Sequence, residues 1–148
     1  DAELQQHSDN SILAVLIINI RRFRSINAMH GYHVADMVLS ETARRIQSVM
    51  RKQDITGRIG ADEFAVILTD TAAKDAGRLI ERFLQYARDT RLPSVPDQQI
   101  LSCSVGYTEI ADADTVETLI QRADRALYQA KAAGRDGSAF LPPDDAPP

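Results

Sequence analysis

The chain has 148 residues, 44% of them apolar and 26% charged, with a formal charge of −4. That balance fits one folded domain with a single core and excludes a disordered chain. It also supplies no overall basic field, so DNA and RNA are excluded as non-specific partners, while a small basic pocket for one nucleotide is allowed. Cys103 is the only cysteine, which leaves no internal disulfide and no multi-cysteine metal site. Within ILSCSVGY it reads as a small buried hydrophobe rather than a reactive thiol. His7, His30 and His33 lack the spacing of a zinc cluster; His7 reads as solvated, and the other two flank a turn.

In chain order, Asp1 to Asn10 is polar and reads as the frayed end of a helix. Ile12 to Ile20 is an Ile- and Val-rich run after a Ser/Asp/Asn cluster, so it reads as a strand buried on both faces. The apolar part of that run is too short to span a bilayer and lacks the flanks of a signal peptide. Phe23 to Met29 is a short helix or turn stopped near Gly31. His33 to Met50 is a long helix whose sticky face carries Val34, Met37, Val38, Ile46, Val49 and Met50. Ile55 to Ile59 and Glu63 to Leu68 are short strands parted by Gly60-Ala61-Asp62, the pattern of a tight hairpin. Ala72 to Arg88 has helical spacing, with Leu79, Ile80, Phe83 and Leu84 on one side. Arg91 to Gln99 holds two prolines and is a loop. Ile100 to Ile110 is a strand in which Gly106 marks a bulge or a close approach. Val116 to Ala133 is a helix with Val116, Leu119, Ile120, Ala123, Leu127 and Ala130 on its apolar face, ended by Gly134. A last short strand covers Ser138 to Phe140. The order β-α-α-β-β-α-β-α-β predicts an α/β fold of the α+β sandwich kind, one partly antiparallel sheet flanked by helices.

The chain begins at Asp1 and ends in LPPDDAPP, so it reads as a piece of a longer polypeptide. Residues 1–141 are expected to form one N-terminally truncated domain. Residues 142–148 are expected to form a Pro/Asp linker toward a following domain. No membrane segment is expected in this piece, and the expected compartment is the cytoplasm, with a parent chain that can itself be membrane-anchored.

The segment richest in chemistry is Arg58-Ile59-Gly60-Ala61-Asp62-Glu63-Phe64. Adjacent carboxylates at a hairpin tip repel each other and call for a positive counterpart, such as a divalent cation holding phosphates. Taken alone, the segment reads more readily as a solvated turn that favours Asp.

The segment RIGADEF resembles RxGGDEF, the signature of diguanylate cyclases. The resemblance runs from Leu13 to Asp136. IINIRRFRSIN resembles LLDIDxFKxIND, HGYHVADMVL resembles YGHxxGDxVL, SVGY resembles SIGV, and ADRALYQAKAAGRD is similar to ADxALYxAKxxGRN. The family's opening DxLTGLxNR segment is absent. The resemblance implies a GGDEF domain of nucleotidyl-cyclase, palm-like architecture, with a central mixed, mostly antiparallel five-stranded sheet. It also implies a reaction in which two GTP molecules on two facing domains condense into cyclic-di-GMP with loss of pyrophosphate. That chemistry calls for Mg²⁺ or Mn²⁺. The implied partners are GTP, cyclic-di-GMP, a second copy of the domain in a homodimer, and a neighbouring domain such as an EAL phosphodiesterase.

Carried over position by position, the resemblance implies a metal site of Asn19, Asp62 and Glu63, with Asp62 and Glu63 also serving catalysis. Asn19 stands where the family has a metal-binding Asp and offers a neutral oxygen in place of a charge. Arg21 replaces a further Asp of that motif, at a position that varies in the family, and could instead meet a phosphate. Arg24 replaces a Lys, and Ala28 replaces an Asp. Asn27 and Asp36 match the guanine contacts. Gly60 is kept and Ala61 replaces the second Gly, at a cost of roughly 1 kcal/mol if its φ is positive. Lys131 and Arg135 match the triphosphate-binding cations, while Asp124 and Tyr128 of the same motif read as structural and Phe64 as core. Arg51 and Asp54 match the RxxD inhibitory product site, and they equally fit a helix-end ion pair. Together the departures at Asn19, Ala28 and Ala61 imply a degenerate GADEF variant, weak or inactive and regulatory. An active cyclase and a ligand-free dimerisation module are the alternatives.

Overall fold

A run of seven apolar residues and one asparagine needs cover on both faces, and the rest of the chain supplies it. The computed structural model describes residues 12–89, 101–133 and 136–143. Strand β1 (Leu13–Ile20) is buried at every position. Around it stand β2 (Ile55–Arg58), β3 (Glu63–Thr69), β4 (Cys103–Glu109) and β5 (Gly137–Phe140), in the sheet order β2-β3-β1-β4-β5. The β1–β3, β1–β4 and β2–β3 pairs are antiparallel, and only β5 runs parallel to its neighbour β4. The expected mixed, mostly antiparallel five-stranded sheet is therefore present.

Alternation along β1 divides the core into two layers. Ala14, Leu16, Ile18 and Ile20 point into a layer closed by α1 (Phe23–Val49) and α2 (Ala73–Asp89). Leu13, Val15 and Ile17 point the other way, onto Leu119, Ala123 and Leu127 of α3 (Val116–Ala132). Each large aliphatic side chain buried this way contributes about 1.5–3 kcal/mol. Gly106 is the close approach that its place in an apolar strand suggested. A Cβ there would collide with the backbone of Leu127 and Ala123, and the β1–β4 register runs past it without a bulge.

Helix α1 is interrupted at Gly31, whose φ of 88° and ψ of 172° lie outside helical geometry and suit a residue without Cβ. Its apolar face differs from expectation. Met37 is exposed, while Ala35, Val38, Thr42, Arg45 and Ile46 are buried. The stripe from Ala35 through Val38 and Thr42 sets the buried direction, and Met37 falls about 100° away from Val38. Arg45 is accommodated because its Nη1 donates to the Tyr86 hydroxyl at 3.2 Å and its guanidinium lies over that ring, 4.9 Å from the centroid. Val116 is likewise exposed, being the first residue of α3.

One end of the sheet, where β1 begins and β3 and β4 finish, is closed by paired charges. Arg122 Nη2 meets Asp114 Oδ2 at 2.6 Å, its Nε donates to Thr108 Oγ1 at 2.6 Å, and Nη2 also donates to the Glu109 carbonyl at 2.8 Å. Thr108 Oγ1 in turn donates to the Leu141 carbonyl. Thr115 and Thr118 form a capping box that starts α3 on the same side. The lead-in Asp1 to Asn10 with His7, the loop Arg91 to Gln99, Gly134, Arg135 and residues 144–148 lie outside the described residues.

Candidate functional site

The opposite end of the sheet is where the polar residues of interest converge. The hairpin tip folds back on the end of β1 because the Ile20 N–H donates to the Asp62 carbonyl at 3.0 Å. On the other side, the Arg21 N–H donates to the Ser102 carbonyl at 2.8 Å. Within the tip, Ile59 N–H donates to Glu63 O, while Arg58 Nε and Nη2 donate to the carbonyls of Gly60 and Ala61 at 2.8 and 3.0 Å. The cationic partner of the tip thus serves its backbone rather than its carboxylates. Register then places Asn19 between Glu63 of β3 and Ser104 of β4. By alternation this row shares the face of Leu13, Val15 and Ile17, so it looks toward α3, whose last turn carries Lys131.

Asn19, Arg21, Arg22, Arg24, Asp62, Glu63 and Lys131 line one cavity of about 500 Å³, together with Ile20 and Phe23. That is ample for a nucleotide. A neighbouring cavity of about 510 Å³ shares Glu63 and Lys131 and extends to Asp124, Leu127 and Tyr128. Asp124 and Tyr128 are exposed, Tyr128 at 75%, so they belong to this polar wall and not to the core. Their faces follow from α3 itself: Leu127 and Ala130 turn to the sheet, which leaves Asp124 and Tyr128 turned outward.

Burial pushes the Glu63 carboxyl above its ordinary range, the negative charges of Asp124 and Asp62 push it further, and Lys131 pulls it back. Asn19 is only 3% exposed, and among the described residues its side-chain amide has no hydrogen-bond partner. The Ser104 hydroxyl beside it is also buried without one. Arg22 takes a left-handed conformation, φ 60° and ψ 27°, where α1 starts. A non-glycine residue pays about 1 kcal/mol for that conformation. The start of α1 has no side-chain cap and no acidic residue in its first turn, so its N–H groups add positive potential to the cavity.

The donor set does not fit a resident metal ion. Among the described residues no group of three or more His, Cys, Asp or Glu could hold one. Two carboxylates and a neutral amide face four cationic side chains. With an effective dielectric near 20, a divalent ion roughly 6 Å from a single guanidinium would meet about 5 kcal/mol of repulsion.

Asn19, Asp62, Glu63 and Lys131 are therefore brought together around one cavity. Gly60 and Ala61 sit in the tip beside them. Ala61 is not among the residues with positive φ, so the strain considered for it does not arise. Asn27 and Asp36 are exposed on α1, on either side of the break at Gly31, and line neither cavity. Arg135 lies outside the described residues. Arg51 and Asp54 stand at the other end of β3, near Thr69, about 20 Å along the strand from Glu63. There they form the helix-end ion pair: Arg51 Nη2 donates to Asp54 Oδ1 at 2.9 Å and Nε to Oδ2 at 3.1 Å, while Nη2 also reaches the Thr69 carbonyl and the Thr71 hydroxyl. The hydrogen bond with Asp54 raises the Arg51 pKa above its ordinary value despite partial burial. Arg22 and Ser104 were not foreseen as site residues. The basic cluster Arg21-Arg22-Phe23-Arg24 was the available signal for the first, and nothing marked the second.

A palm-like antiparallel sheet with an acidic hairpin tip beside the end of its central strand, facing a lysine on the last helix, defines the class of nucleotide-cyclase domains. The family described as "Diguanylate cyclase, GGDEF domain" matches residues 1–137, and the chain belongs to it. Response regulator PleD of Caulobacter vibrioides is 38% identical over 127 residues, covering 84% of this chain and 28% of that protein. The structure of diguanylate cyclase SiaD with its activator SiaC, from Pseudomonas aeruginosa, superposes with a TM-score of 0.87 at 31% identity, covering 95% of this chain and 55% of that one. An EAL/GGDEF domain protein from M. capsulatus superposes with a TM-score of 0.82 at 30% identity, covering 91% of this chain and 88% of that one. The chain spans just over a quarter of the length of PleD. Diguanylate cyclases of this family generally use divalent metal ions. Among the described residues no helix is long and apolar enough to cross a membrane.

Proposed function

We propose that this domain is a degenerate GADEF member of its family that binds GTP in the cavity beside Asn19 but makes little or no cyclic-di-GMP, and so acts as a regulatory module. The observation that carries this is Asn19 itself. It is buried between Glu63 and Ser104, at the position where the family resemblance puts a metal-binding carboxylate, and it brings no charge. Arg21 stands where a second Asp would be and lines the same cavity.

In this reading Lys131 and Arg135 hold the triphosphate and Asn27 and Asp36 read the guanine edge, an Asn amide and a carboxylate matching its acceptor and donors. Gly60 and Ala61 border the phosphates. Asp62 and Glu63 remain as the acidic pair that would activate a 3′-hydroxyl, with the raised Glu63 suited to taking a proton. A Mg²⁺ or Mn²⁺ ion would find only Asp62 and Glu63 as charged ligands here, since Asn19 is neutral, and this reading does not depend on one. Condensation needs charge neutralisation and a deprotonated hydroxyl at one place, and replacing a carboxylate by the Asn19 amide, with a guanidinium at Arg21 nearby, removes part of that provision. Arg51 and Asp54 would take cyclic-di-GMP as an inhibitory site, and a second copy or an EAL phosphodiesterase domain beyond residues 142–148 would receive the signal.

The test is to incubate the protein with GTP and Mn²⁺ and separate the products by chromatography, with calorimetric titration of GTP alongside. Binding with no more than traces of cyclic-di-GMP is expected. Sustained product would make the domain an active diguanylate cyclase, and absence of any GTP or cyclic-di-GMP binding would make it a ligand-free dimerisation module.

A further inference from the structure

We propose that the cavity binds a nucleoside polyphosphate without a divalent cation, with Arg21, Arg22, Arg24 and Lys131 supplying the neutralisation that a metal ion would otherwise provide. This rests on the nucleotide-binding reading above and names how the same site holds its ligand.

Three observations converge on it. First, even apart from Arg21, whose Nη1 donates to the Ser102 hydroxyl at 3.5 Å, three basic side chains and two carboxylates line the cavity, so its wall carries an excess of positive charge in a chain whose formal charge is −4. A polyphosphate suits that wall, while a free divalent cation is repelled by it. Second, Asn19 is an almost fully buried side chain whose amide opens on the cavity without a partner among the described residues. A carboxylate there could only accept hydrogen bonds, whereas an amide can donate two to phosphate oxygens. The exchange therefore turns the floor of the site from a cation ligand into an anion donor. Third, the three arginines sit at or beside the uncapped start of α1, which adds backbone N–H donors and the positive end of the helix dipole. The left-handed backbone at Arg22 is strain retained at this same place. Guanidinium groups can grip phosphate oxygens two at a time, which a point charge cannot.

The experiment is calorimetric titration of the protein with GTP, once in EDTA and once in Mg²⁺, with pyrophosphate and GMP as further probes. In EDTA the affinity for GTP is expected to stay within about threefold of the Mg²⁺ value, pyrophosphate to compete with it, and GMP to bind far more weakly. Arg21→Gln is expected to lower GTP affinity about tenfold in both buffers, as losing one charged hydrogen bond should. The double variant Asn19→Asp with Arg21→Asp is expected to bind GTP only when Mg²⁺ is present. Wild-type binding that rises more than about tenfold on adding Mg²⁺ would overturn the metal-free proposal and leave the nucleotide site standing. Failure of GTP to bind in either buffer would overturn both. The wild-type pair of titrations decides the question even if a variant does not fold.

Discussion

The two ends of the sheet handle charge in opposite ways. Where β1 begins, Arg122 and Asp114 are 5% and 7% exposed, hydrogen-bonded to each other and to β4, and Arg51 and Asp54 satisfy one another beside Thr69. Where β1 ends, the Ser104 hydroxyl is buried without a partner, and among the described residues the Asn19 amide has no hydrogen bond and Arg22, Arg24 and Lys131 are in no ion pair. A buried polar group left unmatched costs roughly 1–3 kcal/mol. The first end spends its polar groups on holding the fold together. The second keeps them available, which is how a binding site differs from a structural clamp built of the same residue types.

The largest expected effect breaks the clamp. Asp114→Asn leaves the Arg122 guanidinium buried against a neutral partner, and unfolding by urea should show a loss of about 3 kcal/mol. If stability is unchanged, the contrast between the ends fails. Gly106→Ala forces α3 away from β4, and the same assay should show a loss of about 2–3 kcal/mol.

Changes at the site should separate binding from stability. Lys131→Ala is expected to weaken GTP binding about tenfold while moving unfolding by less than about 0.5 kcal/mol. Arg22→Gly relieves the left-handed backbone, so the melting temperature should hold or rise while GTP affinity falls. A fall in both would mean that Arg22 is structural.

The smallest effects are in pH dependence. Burial pushes the Asp114 carboxyl up, but hydrogen bonds from Arg122, the Ala111 N–H and Thr118 outweigh it and hold the carboxyl below its ordinary value. A depressed carboxyl stabilises the fold above the ordinary carboxylate value, and that contribution is lost as pH falls through the folded one. Acid unfolding of the wild type should show this loss, and Asp114→Asn should lack it. Glu63 has the opposite sign: its raised carboxyl favours the fold at low pH, and that contribution fades as pH rises through the folded value. Glu63→Gln should flatten that slope without loss of stability at neutral pH.

Much of the fold was legible because it depends on continuous apolar patterns. The run through β1, the break at Gly31 and the hairpin around Gly60 all stood out. Buried charges did not. Arg45 and Arg122 look like surface residues until Tyr86, Asp114 and Thr108 are seen around them, and those partners lie 8 to 41 positions away. Met37 and Val116 failed as core residues because helical phase is set by the whole packed stripe, not by hydrophobicity at one position. At the site, Asn19, Asp62 and Glu63 could be picked out by resemblance. That Glu63 and Ser104 flank Asn19 is a matter of strand register, and that three arginines meet Lys131 across the cavity is a matter of tertiary folding, neither of which motif spacing contains.

The most direct test of where the nucleotide goes is a crystal structure of the protein with GTP. The triphosphate should lie between the start of α1 and Lys131, against the Asn19 amide. A nucleotide seated instead at Arg51 and Asp54, with the cavity beside Asn19 vacant, would contradict the assignment of binding to this end of the sheet.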